Sequence, residues 1–167
     1  MKSGDDMKEL IFDIQRHRDA TDVLYRGNRR WSGNFGRIWI EGSLIFDIEA
    51  FECKVTMDRE DVIIGQSKDS KIVGLTGEGT ITVKRVFDSG IKAYWESIKA
   101  GHDVRFTLDA AIQDPDMVNG QEQRIHIENL WFNDFSPLHF TKGEVVTDEL
   151  NFGFTSEDLT FPKIVEA

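Results

Sequence analysis

The sequence predicts a mainly β (α+β) domain, an antiparallel sheet system with one helix laid on it. Three observations point there. Several short segments alternate apolar and polar residues with period two, the pattern of strands with one wet face. One window alone carries its apolar residues at helical spacing, Ile91, Tyr94, Trp95 and Ile98 at i, i+3, i+4 and i+7. The order along the chain is strands, one helix, strands.

Residues 1–30 stand apart and read as an N-terminal arm before a domain at 31–167. They hold seven basic residues (Lys2, Lys8, Arg16, Arg18, Arg26, Arg29, Arg30) and six acidic ones (Asp5, Asp6, Glu9, Asp13, Asp19, Asp22), a net of +1. Leu10, Ile11 and Ile14 fit one face of a short helix, and Leu10, Phe12 and Ile14 fit a strand equally well. So short a run does not decide between them. Arg26–Arg30 reads as an exposed turn.

Strand patterning begins at Phe35. Arg37–Glu41 runs into the turn signal Gly42-Ser43 and then Leu44–Ile48. Cys53, Val55 and Met57 alternate with Lys54, Thr56 and Asp58, and Thr80–Lys84 repeats that pattern after Gly77 and Gly79. Between them Arg59–Gly74, rich in charge and glycine, reads as a long hairpin tip or a structured loop, a length that usually has a task.

The helix is expected over Ser89–Ala100. Asp88 or Ser89 supplies an N-cap oxygen, Lys92/Glu96 and Glu96/Lys99 are favourable surface spacings, and Gly101 stops it. Strands resume with Val104, Phe106 and Leu108 alternating with Arg105, Thr107 and Asp109. Asp114-Pro-Asp116 and Asn119-Gly120 carry turn chemistry. Arg124–Glu128, Leu130–Phe132 and, after a loop through Pro137, Glu144–Phe154 complete the set, with Leu150, Phe152 and Phe154 on one face.

Composition bounds function. At 167 residues and 40% hydrophobic content the chain fits one domain with a real core. The net charge is −10, so outside the arm it is −11. An acidic surface does not grip phosphate backbones, although it suits a path that nucleic acid must pass without sticking. The lone cysteine, Cys53, allows no intramolecular disulfide and reads as a small core residue. The start, MKSGDDMKEL, lacks the apolar stretch of a secretory signal, and no apolar run approaches the ~18 residues of a membrane span. Synthesis in the cytoplasm and no stable membrane association are the expectations.

Catalytic and metal chemistry is thin. Phosphate-binding glycine loops, HExxH, GxSxG and CxxC are all missing. His126 and Glu128 share a strand face, His102 adjoins Asp103, and His17 and His139 fall in the arm and a loop, without the converging set of three or four ligands a metal needs. Asp114 and Asp116 look like the start of a calcium loop, but the glycine and distal glutamate do not follow. The acidic pairs at 60–61, 148–149 and 157–158 read as solvated faces. No catalytic, cofactor-binding or metal site is expected. The four tryptophans (Trp31, Trp39, Trp95, Trp131) and twelve phenylalanines suit either core or subunit interface.

An ordered set of segments resembles the tail tube proteins of contractile phages of Gram-positive hosts, their defective prophage relatives and R-type bacteriocins. These are Gly33–Gly42, Phe51–Met57 with Arg59–Asp61, Gly74–Val83, Ile98–Thr107, Asp114–Asp116, Ile125–Asn129 and Leu150–Thr155. Each is ordinary β sequence, and the specificity lies in the order. The arm falls outside the pattern.

The resemblance implies an antiparallel β-sandwich or half-barrel with one flanking helix. It implies hexameric rings with a continuous inner β-barrel, stacked as a tube inside a contractile sheath, in a virion tail or phage-like particle. The implied partners are other copies of the chain, sheath protein, baseplate and tail-terminator proteins, with DNA only as transiting cargo. Arg59, Glu60, Asp61, Gln66, Lys68, Asp69 and Lys71 are then expected in the ring-stacking loop. Lys54, Thr56, Thr80, Thr82 and Lys84 are expected to face the lumen, the lysines offset by acidic neighbours such as Glu52, Asp58 or Glu78. A monomeric small-ligand-binding β-barrel is the alternative, with those wet faces in bulk solvent.

Overall fold

The structure is a computed structural model that describes residues 27–85 and 90–165. The arm up to residue 26 and the expected caps Asp88 and Ser89 lie outside the described residues. The described residues form two compact units, one over 37–110 and 125–162, the other over 27–36, 111–124 and 163–165.

The larger unit is built on strands β1 (Gly36–Ile40), β2 (Ser43–Leu44), β3 (Ile48–Ile64), β4 (Ser67–Lys84), β5 (Phe106–Ile112), β6 (Gln123–Phe132), β7 (Thr147–Phe154) and β8 (Leu159–Lys163), with helix α1 (Ile91–Lys99) between β4 and β5. The sheet order is β2-β1-β5-β6-β7-β4-β3, with β8 also on β6, and the mainly β class holds. The pairs β1/β2, β3/β4, β4/β7 and β6/β7 are antiparallel.

Cross-strand register sorts the two faces. Phe51, Cys53 and Val55 on β3 sit opposite Ile81, Gly79 and Gly77 on β4, which in turn face Leu150, Phe152 and Phe154 on β7. Ile81, Phe152 and Phe154 are buried and join Ile38, Leu108, Ala110, Ile127 and Leu130 in one core. Gly77 and Gly79, read from the sequence as lying ahead of a strand, instead sit inside β4. The Phe154 ring lies over Gly77 and the Phe152 ring over Gly79, where a Cβ would collide. The strand tolerates glycine because aromatic rings from β7 cover it. Trp131 covers Gly153 on the opposite face in the same way.

Helix α1 begins at Ile91, with Gly90 at the N-cap in a left-handed conformation (φ +81) and no side-chain cap. It ends as expected, Gly101 taking φ +88 with its N–H on the Ile98 carbonyl at 2.9 Å. Tyr94 anchors it, its ring 5.8 Å from Phe106 and edge-on to Phe132 and Phe135 at 6.4 and 5.4 Å. Trp95 departs from the expected buried stripe. It stays 47% exposed, touching Phe135 at one side and lying under Lys99. The stripe is wider than the contact, and Tyr94 takes the seat.

The smaller unit is organised by Asp114, which is 5% exposed. Its two carboxylate oxygens accept from the Ser32 and Asp116 backbone N–H groups at 3.2 and 2.9 Å. A side chain so engaged fastens a turn, which is the physical reason the Asp114-Pro-Asp116 run is structural. The Arg29 guanidinium donates to the Asp116 and Met117 carbonyls at 3.1 and 3.3 Å, and Met117 is fully buried. Asn119 and Gly120 both take positive φ, as an Asn-Gly turn does.

Candidate assembly surfaces

Of the two readings of Arg59–Gly74, a long hairpin tip or a structured loop, the structure takes the first: the segment is the outer half of a continuous β-hairpin. β3 and β4 pair from Ile48/Val83 to Ile64/Ser67, leaving only Gly65-Gln66 as the turn. Gly65 takes φ +62, which suits a two-residue turn with glycine first. The charged residues pair across the ladder and so sustain strands: Glu60 faces Lys71, and Lys68 donates to Asp61 at 2.8 Å. Arg59 donates to the Ser70 hydroxyl at 3.3 Å, Asp69 accepts from the Ser70 N–H at 2.7 Å, and Gln66 is the second turn residue.

Among the described residues this ribbon has no third strand. β7 flanks β4 only from Gly77 to Lys84. Beyond that the hairpin extends alone, with Met57, Val62, Ile63, Ile64, Ile72, Val73 and Leu75 exposed, Ile63 at 74%. A two-stranded ribbon is marginal in water by itself, and seven large apolar side chains on it ask for a covering partner. Reading the segment by charge passed over these residues. The signal was there in Val62-Ile-Ile64 and Ile72-Val73, two apolar clusters either side of a glycine turn.

β3 is also the last strand of the sheet order, 17 residues long and paired only to β4 among the described residues. Its outer edge offers a long row of backbone donors and acceptors, the kind of edge that draws in another strand.

The wet face of the same hairpin collects Lys54, Thr56, Thr80, Thr82 and Lys84. The register puts Lys54 opposite Glu78, Thr56 opposite Thr76, Thr80 opposite Glu52 and Asn151, Thr82 opposite Ala50 and Glu149, and Lys84 opposite Thr147. Lys54 pairs with Glu78 at 3.2 Å, one of the expected neighbours. Lys84 pairs with Glu49 at 3.3 Å instead, because a register shift between Ile48 and Ala50 makes Glu49 an extra residue beside it. Asp58 accepts from the Thr76 hydroxyl at 3.0 Å. Glu52 and Glu149 add negative charge to this face. Cys53 lies on the opposite, dry face, where burial pushes its thiol up to about 11.

His126 lies between two carboxylates, Asp109 at 2.9 Å and Glu128 at 3.4 Å. The hydrogen bond to Asp109 raises its pKa, against an opposing effect of burial. Among the described residues no group of three or more His, Cys, Asp and Glu side chains is placed to hold a metal ion, and no helix is long and apolar enough to cross a membrane.

Comparison with known proteins bears on these surfaces. A family model described as phage tail tube protein matches residues 24–161. The phage-like element PBSX protein XkdM of Bacillus subtilis (strain 168) is 28% identical over 135 residues, covering 79% of this chain and 90% of that protein. Among solved structures, a chain of the sheath–tube complex of an extracellular contractile injection system in its extended state superposes with a TM-score of 0.65 at 6% identity, covering 89% of this chain and all of that one. The tube-terminating cap of the anti-feeding prophage gives the same TM-score at 8% identity and the same coverage. At such identities these structures speak to the fold.

Proposed function

The chain belongs to the phage tail tube protein family, and from that premise we propose that it forms the inner tube of a contractile particle as stacked hexameric rings. The observation that carries this is the long β3 edge and the ribbon beyond it, which among the described residues leave a strand edge unpaired and an apolar surface exposed. Closing a ring by strand addition removes every such edge at once, as closed barrels do.

In this reading the wet face around Lys54, Thr56, Thr80, Thr82 and Lys84 lines the bore. Its lysines are neutralised by Glu78 and Glu49, while Glu52 and Glu149 keep the potential negative, so transiting DNA is repelled rather than bound. The ribbon from Arg59 to Lys71, with its ion pairs closed internally, joins ring to ring through its apolar side chains. The family match begins at residue 24, inside the stretch read as the arm, and Arg29 at the end of that stretch donates to the Asp116 and Met117 carbonyls. Sheath, baseplate and terminator proteins are the partners, and the location is a virion tail or phage-like particle assembled from protein made in the host cytoplasm. The role is structural and not catalytic.

Truncating the ribbon tests the reading. Replacing residues 61–70 by Asn-Gly keeps Glu60 opposite Lys71 across a tight turn. The expected result is a folded subunit, by circular dichroism and melting, that gives no tubes by negative stain where the full-length chain does. Normal tubes from the shortened chain would remove the ribbon from ring stacking, and failure of the full-length chain to form rings or tubes would remove the proposal itself.

A further inference from the structure

Three of the most exposed apolar side chains fall on the one segment between β6 and β7: Leu138 at 74%, Phe140 at 75% and Val145 at 72%. This segment is held firmly. Arg85, just past the end of β4, makes a two-pronged ion pair with Asp148 at 2.6 and 2.8 Å and donates to the Ser136 and Pro137 carbonyls at 2.8 and 3.1 Å. The ion pair is well shielded, with side chains 18% and 12% exposed. His139 lies 3.1 Å from the Ser136 hydroxyl and 2.8 Å from the Thr147 carbonyl oxygen. A pinned segment that presents three large apolar groups to water is a preorganised platform, since its ordering cost is met before any partner arrives.

The position of the platform indicates the partner. β4 carries the ribbon tip at its start, Ser67, and the platform's clamp immediately after its end, Lys84. At roughly 3.3 Å per residue these lie on the order of 50 Å apart along one strand. Two different apolar surfaces at opposite ends of one strand can meet only between copies, head to tail, and a head-to-tail contact that does not close on itself propagates as a filament. Size agrees. Three side chains offer a few hundred Å² at most, below the ~800 Å² per partner of a stable pair, so the contact suits repetition around a ring rather than an isolated complex.

We propose that the ribbon tip around Ile63 and Ile64 of one copy seats on the Leu138–Phe140–Val145 platform of a copy in the next ring. This rests on the tube reading and names the receptor for its stacking element.

Cysteine cross-linking decides it. In a Cys53→Ala background, one chain carries Ile63→Cys and another Phe140→Cys. Assembled together and oxidised with copper phenanthroline, they should give disulfide-linked dimers on a non-reducing gel, while either chain alone should give none. A single chain bearing both substitutions should give a ladder. A second pair, Ile64→Cys with Leu138→Cys, covers the case in which the first fails to assemble. The double variant L138D/F140D should melt within about 2 °C of the parent, its sites being solvent-exposed, yet form no tubes. Tubes without cross-links in either pair, cross-links from one single-cysteine chain alone, or tubes of ordinary length from L138D/F140D would overturn the proposal while leaving the tube intact. Phe140→Cys that reacts as fast with maleimide in bare tubes as in free subunits would assign the platform to a different protein and overturn it too. A parent chain that forms no tubes at all removes the tube reading, and this contact with it.

Discussion

From Gly77 to Lys84, β4 has β3 on one side and β7 on the other. From Thr76 outward it has β3 alone among the described residues. The inner half alternates apolar with polar residues, the outer half gathers most of its apolar residues in Val62-Ile-Ile64 and Ile72-Val73, and both mix glycine with aliphatic side chains. In the inner half the apolar set meets Phe152 and Phe154 and becomes core. In the outer half the same kind of set stays in water, Ile63 at 74% and Val73 at 56% exposed. The difference lies in the presence of a third strand. An apolar set on a strand says that a surface avoids water; it does not say whether the same chain or another copy covers that surface.

The largest expected effect separates the halves directly. Phe152 is fully buried and stacks on Phe51 at 6.1 Å, so Phe152→Ala should cost about 3–5 kcal/mol in chemical denaturation of the free subunit. Ile63→Ala should change the same measurement by no more than about 0.5 kcal/mol, since Ile63 is 74% exposed. If both variants lost comparable stability, the ribbon would be part of the subunit's own core, and the contrast would collapse.

Much of this was legible. The class, the order of elements, the one α-helix among the described residues, the Gly101 stop and the shared face of Leu150, Phe152 and Phe154 all follow from period and turn chemistry. What was not legible depends on sequence-distant partners. Gly77 and Gly79 read as punctuation because glycine weakens strands, and only the aromatic rings of β7 reverse that reading. Arg59–Gly74 left hairpin tip and loop both open because its charges look solvated, whereas Glu60 faces Lys71 in register and Asp61 meets Lys68 diagonally across the ladder. Trp95 read as core because helical spacing gives a stripe without the width of the surface it meets. The five residues expected on one wet face do share it, as alternation on each strand together with antiparallel pairing requires.

A gentler probe uses the glycines. A Cβ at Gly79 would strike the Phe152 ring and the Glu52 carbonyl, backbone that cannot move aside. Gly79→Ala should therefore cost about 1–3 kcal/mol. At Gly74 the nearest atom is the end of the Asp58 side chain at 3.3 Å, which can turn away. Gly74→Ala should be neutral or gain up to about 1 kcal/mol by restricting the unfolded chain. Equal penalties at the two sites would mean that the ribbon is packed as tightly as the inner half.

The smallest effect concerns ion pairs, and it carries the comparison to the wet side. Lys68 and Asp61 on the ribbon are 72% and 65% exposed, so Lys68→Gln should shift stability by less than about 0.5 kcal/mol. His126 and Asp109 are each 26% exposed, and protonated His126 can donate from one ring nitrogen to Asp109 and from the other to Glu128. The Asp109 hydrogen bond raises the His126 pKa above its ordinary 6.5, partly offset by burial. A folded-state pKa above the unfolded one means that the folded protein holds the proton more tightly. The stabilisation is therefore complete below about pH 6.5 and fades as pH climbs through the raised value. His126→Gln should accordingly lose about 0.5–1 kcal/mol relative to the parent near pH 5.5 and converge on it near pH 8.5, read from urea midpoints of the free subunit. A loss that stayed constant across that range would show that His126 matters for its shape and not its charge, and a loss growing toward alkaline pH would reverse the assigned direction of its shift.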